Sequence, residues 1–106
     1  MNPKPGFDLH PGAAQDITEI WEYIADDSVL AARRFRTEIF DAISSLVPFP
    51  HQGHKRPDLT TRPLRFQSVR DYLIAYAPEE KPFLVIAVLH GRRNPRALSI
   101  LLEQRQ

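Results

Sequence analysis

The chain has no cysteine. That removes disulfides, thiol nucleophiles and cysteine-held zinc, and it fits a reducing, cytoplasmic setting. Glycine is scarce, four in 106 residues, and no Gly-rich loop stands where it could cradle a phosphate. No apolar run approaches the ~20 residues of a membrane-spanning helix, so no membrane association is expected. The opening stretch MNPKPGFDLH has one lysine and no apolar core, so no secretory signal is expected either. No Ser-His-Asp or Cys-His spacing stands out, and internal repeats and low-complexity segments are lacking.

What is present is ordinary for a globular chain: 42% hydrophobic and 25% charged residues. The length suits one domain over residues 1–106 with one modest core, burying roughly 65% of the unfolded surface, so stabilisation by a partner chain is plausible. The net charge of +1 hides a polarity. Residues 1–54 carry four Lys/Arg against eight Asp/Glu, whereas residues 55–96 carry nine against four. A basic second half suits a nucleic acid or an acidic partner, although proteins that bind neither also show such a gap.

Residues 1–6 read as a loose tail. Phe7 to His10 alternates and suggests a short edge strand, ended by Pro11-Gly12. Ala13, Ile17, Ile20, Trp21 and Ile24 make one helical stripe, leaving Asp16, Glu19, Glu22 and Asp26 on an acidic outer face. Ser28 is an N-cap for a second helix, about Val29 to Val47, with Phe35, Ile39, Ala42, Ile43 and Leu46 inward. The short connection predicts an antiparallel helical hairpin. After a proline-rich loop the period changes to that of strands: Leu64–Val69, Tyr72–Ala77 and Phe83–Leu89, joined tightly enough for an antiparallel meander. Phe83–Leu89 is apolar on successive residues, which predicts a central strand covered on both faces. Asn94-Pro95 opens a final helix over 94–106, with Ala97, Leu98, Leu101 and Leu102 apolar.

Several residues could carry chemistry. Arg92 and Arg93 follow directly on the buried strand, where a fixed guanidinium suits phosphate or carboxylate; a snorkelling stem or a pairing with Asp71 is the structural alternative. Alternation places Arg65 with Gln67 and Val69 on one face, from which it could converge with Arg92 or simply meet solvent. His90 could act as a base, or pack and satisfy a backbone group. His10, His51 and His54 lack metal-ligand spacing, so no metal and no cofactor are expected. Tyr72 and Tyr76 read as core aromatics with wet hydroxyls, and Trp21 as core.

The order Ala14-x-Asp16-Ile17-x-x-Ile20-x-x-Tyr23-Ile24-Ala25, Ala31-Ala32-x-x-Phe35-x-x-x-Ile39, Leu46-x-x-Phe49-Pro50-x-x-Gly53-x-x-Arg56-x-x-Leu59, Leu64-Arg65-Phe66, Tyr72-Leu73-Ile74-x-Tyr76 and Val88-Leu89-His90-Gly91-Arg92-Arg93 resembles the ParE branch of the RelE/ParE toxins, over roughly residues 8–94. The resemblance implies an α+β fold: an N-terminal helical hairpin packed on a small antiparallel β-sheet, with a short C-terminal helix. It also implies a bacterial plasmid-stabilisation toxin, neutralised by a cognate antitoxin whose disordered segment folds on binding. ParE-like members block DNA gyrase by binding. RelE-like members cut mRNA on the ribosome with strand-borne Arg and Lys and a C-terminal Tyr. Here Arg65 and Arg92 match the arginines, but Leu98 stands about where that tyrosine is expected. Gyrase is therefore the expected target and the ribosome the alternative; a third reading is an attenuated toxin that only binds its antitoxin. A nuclease would use Arg65, His90 and Arg92. A binding surface would draw on Arg65, Arg92, Arg93, Arg96, Leu98 and Leu101. Two departures bear on turns: Arg70-Asp71 stands where the family often has Gly, and His10-Pro11 where Ser or Thr is usual.

Overall fold

The computed structural model describes residues 6–106; the rest of the expected loose tail lies outside them. Seven elements follow in order: β1 (Phe7–Leu9), α1 (Pro11–Ala25), α2 (Val29–Leu46), β2 (Arg65–Val69), β3 (Tyr72–Ala77), β4 (Phe83–His90) and α3 (Pro95–Gln104). Their local causes are those of helix ends. Ser28 Oγ accepts from the Ala31 N–H at 3.1 Å, and Asn94 Oδ1 accepts from the Arg96 N–H at 2.8 Å, so each satisfies a first-turn donor. At α1 the ring of His10 does the work of the usual Ser or Thr: its Nδ1 accepts from the Gly12 N–H at 2.9 Å. Pro11 occupies the first turn, where a missing N–H costs nothing.

The sheet has the order β1-β4-β3-β2. The β2-β3-β4 meander is antiparallel as the sequence predicts, with Val69 opposite Tyr72 and Tyr72 opposite His90. β1 departs from the expected all-antiparallel sheet. It lies parallel to β4, Phe7 opposite Phe83 and Leu9 opposite Val85, so the sheet is mixed. β1 passes straight into α1, so the hairpin and meander form the long crossover that a parallel pair requires. β4 is thereby central, which accounts for its unbroken apolar sequence.

Each face of the sheet has its own core. Ile17 of α1 and Phe35, Ile39 and Ile43 of α2 pack on Ile74, Tyr76 and Val88. On the far face, Leu98 and Leu102 of α3, with Leu59 and Leu64 of the long loop, cover Phe66, Leu73 and Leu89. Among the described residues no helix is long and apolar enough to cross a membrane.

Tyr76 differs from its sequence reading. It is 0% exposed, and its hydroxyl is dry, accepting from the Gly53 N–H at 2.9 Å. Burial, the larger influence, pushes its ionisation above the ordinary 10.0, while the Gly53 hydrogen bond and Arg65 act the other way. Burial likewise raises Tyr72, helped by Asp71 and Tyr23. A raised folded-state pKa stabilises the fold below the unfolded value and loses that contribution as pH rises through the folded one. Tyrosinate absorbance at Tyr72 and Tyr76 is therefore expected to develop at higher pH than that of a free tyrosine. Tyr76→Phe should remove part of that delayed absorbance, and an unchanged titration would contradict the dry hydroxyl.

Candidate functional site

β4 ends in a turn that holds its arginines outward. The Gly91 N–H reaches the Asp71 carbonyl at 2.7 Å, the Arg93 N–H reaches the His90 carbonyl at 3.1 Å, and the Arg92 N–H reaches His90 Nδ1 at 3.2 Å. Arg92, Arg93 and Arg96 are all exposed. The four ion pairs among the described residues are His51–Glu79, Arg56–Asp58, Arg70–Glu38 and Arg105–Asp16. None of them takes up these three cations. They form a basic run from the β4 turn into the first turn of α3, with guanidiniums free for an acidic partner.

Arg65 does not join them. It is opposite Tyr76, at the far end of β2 from Val69, and donates Nη1–H to the Gly53 carbonyl at 2.8 Å. At roughly 3.4 Å per residue it stands ~14 Å along the sheet from the His90 level, and two strands across. The expected convergence of Arg65, His90 and Arg92 on one cleft is therefore not formed. His90 packs edge-on against Tyr72, with centroids 5.5 Å apart, and its Nδ1 acceptance leaves Nε2 to carry the proton in the neutral ring.

Leu98 is 3% exposed and packs into the far-face core, so it anchors α3 rather than meeting a partner. Leu101 is partly buried against the same core. The outward residue is Ile100, 51% exposed and one turn beyond Arg96. It was missed because it lies off the Leu98–Leu102 stripe, and the (i, i+4) spacing from Arg96 was the available signal.

Two hollows meet at Tyr72, of about 260 and 270 Å³. One runs over Phe35 and Val69 towards Arg34 and Arg70, the other over Ile20 and Val88 towards Tyr23, His90 and Arg93. Arg70 takes the turn's positive φ, 54°, where the family often has Gly, and is spent on Glu38, at 2.5 and 2.8 Å. That hydrogen-bonded guanidinium holds the Glu38 carboxyl below its ordinary value. A larger concavity, about 600 Å³, lies over the hairpin; Leu9, Ile17 and Trp21 supply apolar lining, Arg33 and Arg36 two cations and Glu22 one carboxylate. The histidines considered for metal are separately engaged: His10 caps α1, His51 meets Glu79 at 2.7 Å, and His54 bridges Phe66.

Comparison with known proteins gives the same family as the motif order. The sequence model described as "ParE toxin of type II toxin-antitoxin system, parDE" matches residues 7–95. Two relatives, each named Toxin ParE2, come from Mycobacterium tuberculosis strains CDC 1551 / Oshkosh and ATCC 25618 / H37Rv. Each is 27% identical over 99 residues, covering 85% of both chains. With the first six of the seven elements inside the matched span, the chain belongs to the ParE toxins of type II toxin-antitoxin systems.

Proposed function

We propose that this toxin acts as one domain in the bacterial cytoplasm, inhibits DNA gyrase by binding rather than by catalysis, and is neutralised by an acidic, apolar segment of a cognate antitoxin. The observation that carries the target reading is the free basic run Arg92, Arg93 and Arg96, with Ile100 beside it on a helix fixed by Leu98 and Leu102. Exposed arginines around one apolar residue have the composition of a protein-binding hot spot. Cleavage of mRNA is less well served. Arg65 is remote from His90 and engaged with a backbone carbonyl, and the helix buries Leu98 where a nuclease would present its tyrosine. The antitoxin's place is best supplied by the hairpin concavity, whose Trp21 and Ile17 lining and Arg33 and Arg36 rim complement an acidic amphipathic segment.

The test uses antitoxin-free protein in a gyrase supercoiling assay, followed by the same sample in a translation reaction. Loss of supercoiling with mRNA intact is the expected result. Full supercoiling at excess toxin together with cut mRNA would replace gyrase by the ribosome; neither effect would leave a chain that only binds its antitoxin.

A further inference from the structure

β1 covers the outer side of β4 only from Phe83 to Val85, and β4 runs on to His90. Over that remainder no strand stands outside it among the described residues. Val88 lies opposite Ile74, yet its N–H points away from β3 and reaches Asp16 Oδ2 at 3.0 Å. The Ile86 carbonyl also turns outward and accepts from Arg105 Nη1 at 3.2 Å. Arg105 in turn grips both Asp16 oxygens, Nη1 to Oδ2 at 2.5 Å and Nη2 to Oδ1 at 2.9 Å. A carboxylate and a guanidinium thus supply the acceptor and the donor that a neighbouring strand would have offered.

The surroundings hold this pair in place. The Asp16 and Arg105 side chains are 12% and 15% exposed. Arg62 Nη1 donates to the carbonyls of Leu102 and Arg105 at 2.7 and 2.6 Å, fixing the chain where it leaves α3. A Cβ at Gly12 would collide with Arg105 Nε, so the absence of a side chain there is what lets the guanidinium cross α1. The strand beneath is Phe83-Leu84-Val85-Ile86-Ala87-Val88-Leu89, with no charge and no proline. Such a segment with a bare edge is a template for pairing with an identical one.

We propose that Asp16 and Arg105 form a strap that closes the outer edge of β4 against pairing with the same segment of a second copy of the chain. This inference is independent of the toxin's target. It requires that loosening the strap promote self-association through residues 86–90, beyond what lost stability alone would cause.

The experiment compares Asp16→Ala, Arg105→Ala and Gly12→Ala with Tyr76→Phe, a destabilised control with the strap intact. Hydrogen exchange at the Val88 amide and loss of monomer, followed by size exclusion with light scattering, are the readouts. The strap variants are expected to exchange Val88 about tenfold faster than the control, since a charge-assisted hydrogen bond is lost or loosened, and to associate faster. In the associated form, residues 86–90 should regain protection. If Asp16→Ala does not fold, Arg105→Lys, which keeps the charge but not the two-pronged grip, takes its place. Association no faster than that of Tyr76→Phe, or an associated form in which residues 86–90 exchange as freely as in the monomer, would overturn the proposal.

Discussion

Gly53→Ala is expected to lower the stability of the fold by about 3 kcal/mol, the sum of an overpacked site at ~1–3 and a buried hydroxyl stripped of its partner at ~1–3. A Cβ at this position would stand 2.5 Å from Tyr76 Oη and 2.8 Å from the Phe66 carbonyl oxygen. Neither neighbour can yield. Tyr76 is sealed at 0% exposure and stacked on Phe83 with centroids 4.7 Å apart. The Phe66 backbone is held by two hydrogen bonds with His54, its N–H donating at 2.7 Å and its carbonyl accepting at 2.9 Å. For a domain of this size the loss corresponds to a fall in Tm of roughly 15 °C, read directly from a thermal melt. Tyr76→Phe removes only the hydroxyl and should cost about 1 kcal/mol. A Gly53→Ala protein that melts with the parent would show that the loop relaxes away from Tyr76.

The second large effect is on activity and should leave stability untouched. Replacing Arg92, Arg93 and Arg96 together by alanine is expected to weaken gyrase inhibition by about 100-fold or more, since one desolvated arginine at a hot spot is worth ~2 kcal/mol. All three are exposed and outside the ion pairs, so the melting temperature should move by no more than ~2 °C. Ile100→Asp should weaken inhibition by roughly tenfold on the same grounds. Leu98→Ala offers the contrast: it removes a 3%-exposed anchor and should cost ~2–5 kcal/mol of stability, so any lost activity reports an undocked helix. The measurement is the inhibitory concentration in the supercoiling assay beside a melt of each variant. Unchanged inhibition by the triple variant would remove the basic run from the target interface.

Much of the scaffold was legible because it rests on periodicity. Ala13, Ile17, Phe35, Ile39, Ile43 and Leu46 repeat at helical spacing and are buried, and the uninterrupted apolar run of β4 announced a strand covered on both faces. The caps at Ser28 and Asn94 were readable for the same local reason. What local pattern misplaced depends on partners far away in sequence. Asp16 stands on the helical face opposite the apolar stripe and reads as solvated, yet its partner Arg105 arrives 89 residues later and shields it. Gly53 and Tyr76 meet across 23 residues, so a loop glycine and a strand tyrosine gave no sign of touching. Arg65 was placed on the correct face of β2, but only the register reveals that it lies at the other end of the sheet from Arg92. Leu98 and Ile100 exchange roles because the apolar side of a short helix can face either the domain or a partner, and spacing alone is silent on the choice.

The parallel pairing of β1 with β4 also dictates an order of assembly. Phe7 finds Phe83 only after the intervening chain has been made, whereas the hairpin's contacts are local and available early. Pairings of such long sequence separation form late, because the loop they close must first lose its freedom. During synthesis the hairpin would therefore wait with Phe35, Ile39 and Ile43 uncovered until the meander is made, while the basic turn, held by Asp71 and His90, needs only the local β3–β4 pairing. β1 therefore closes last, although it is the first strand to be made.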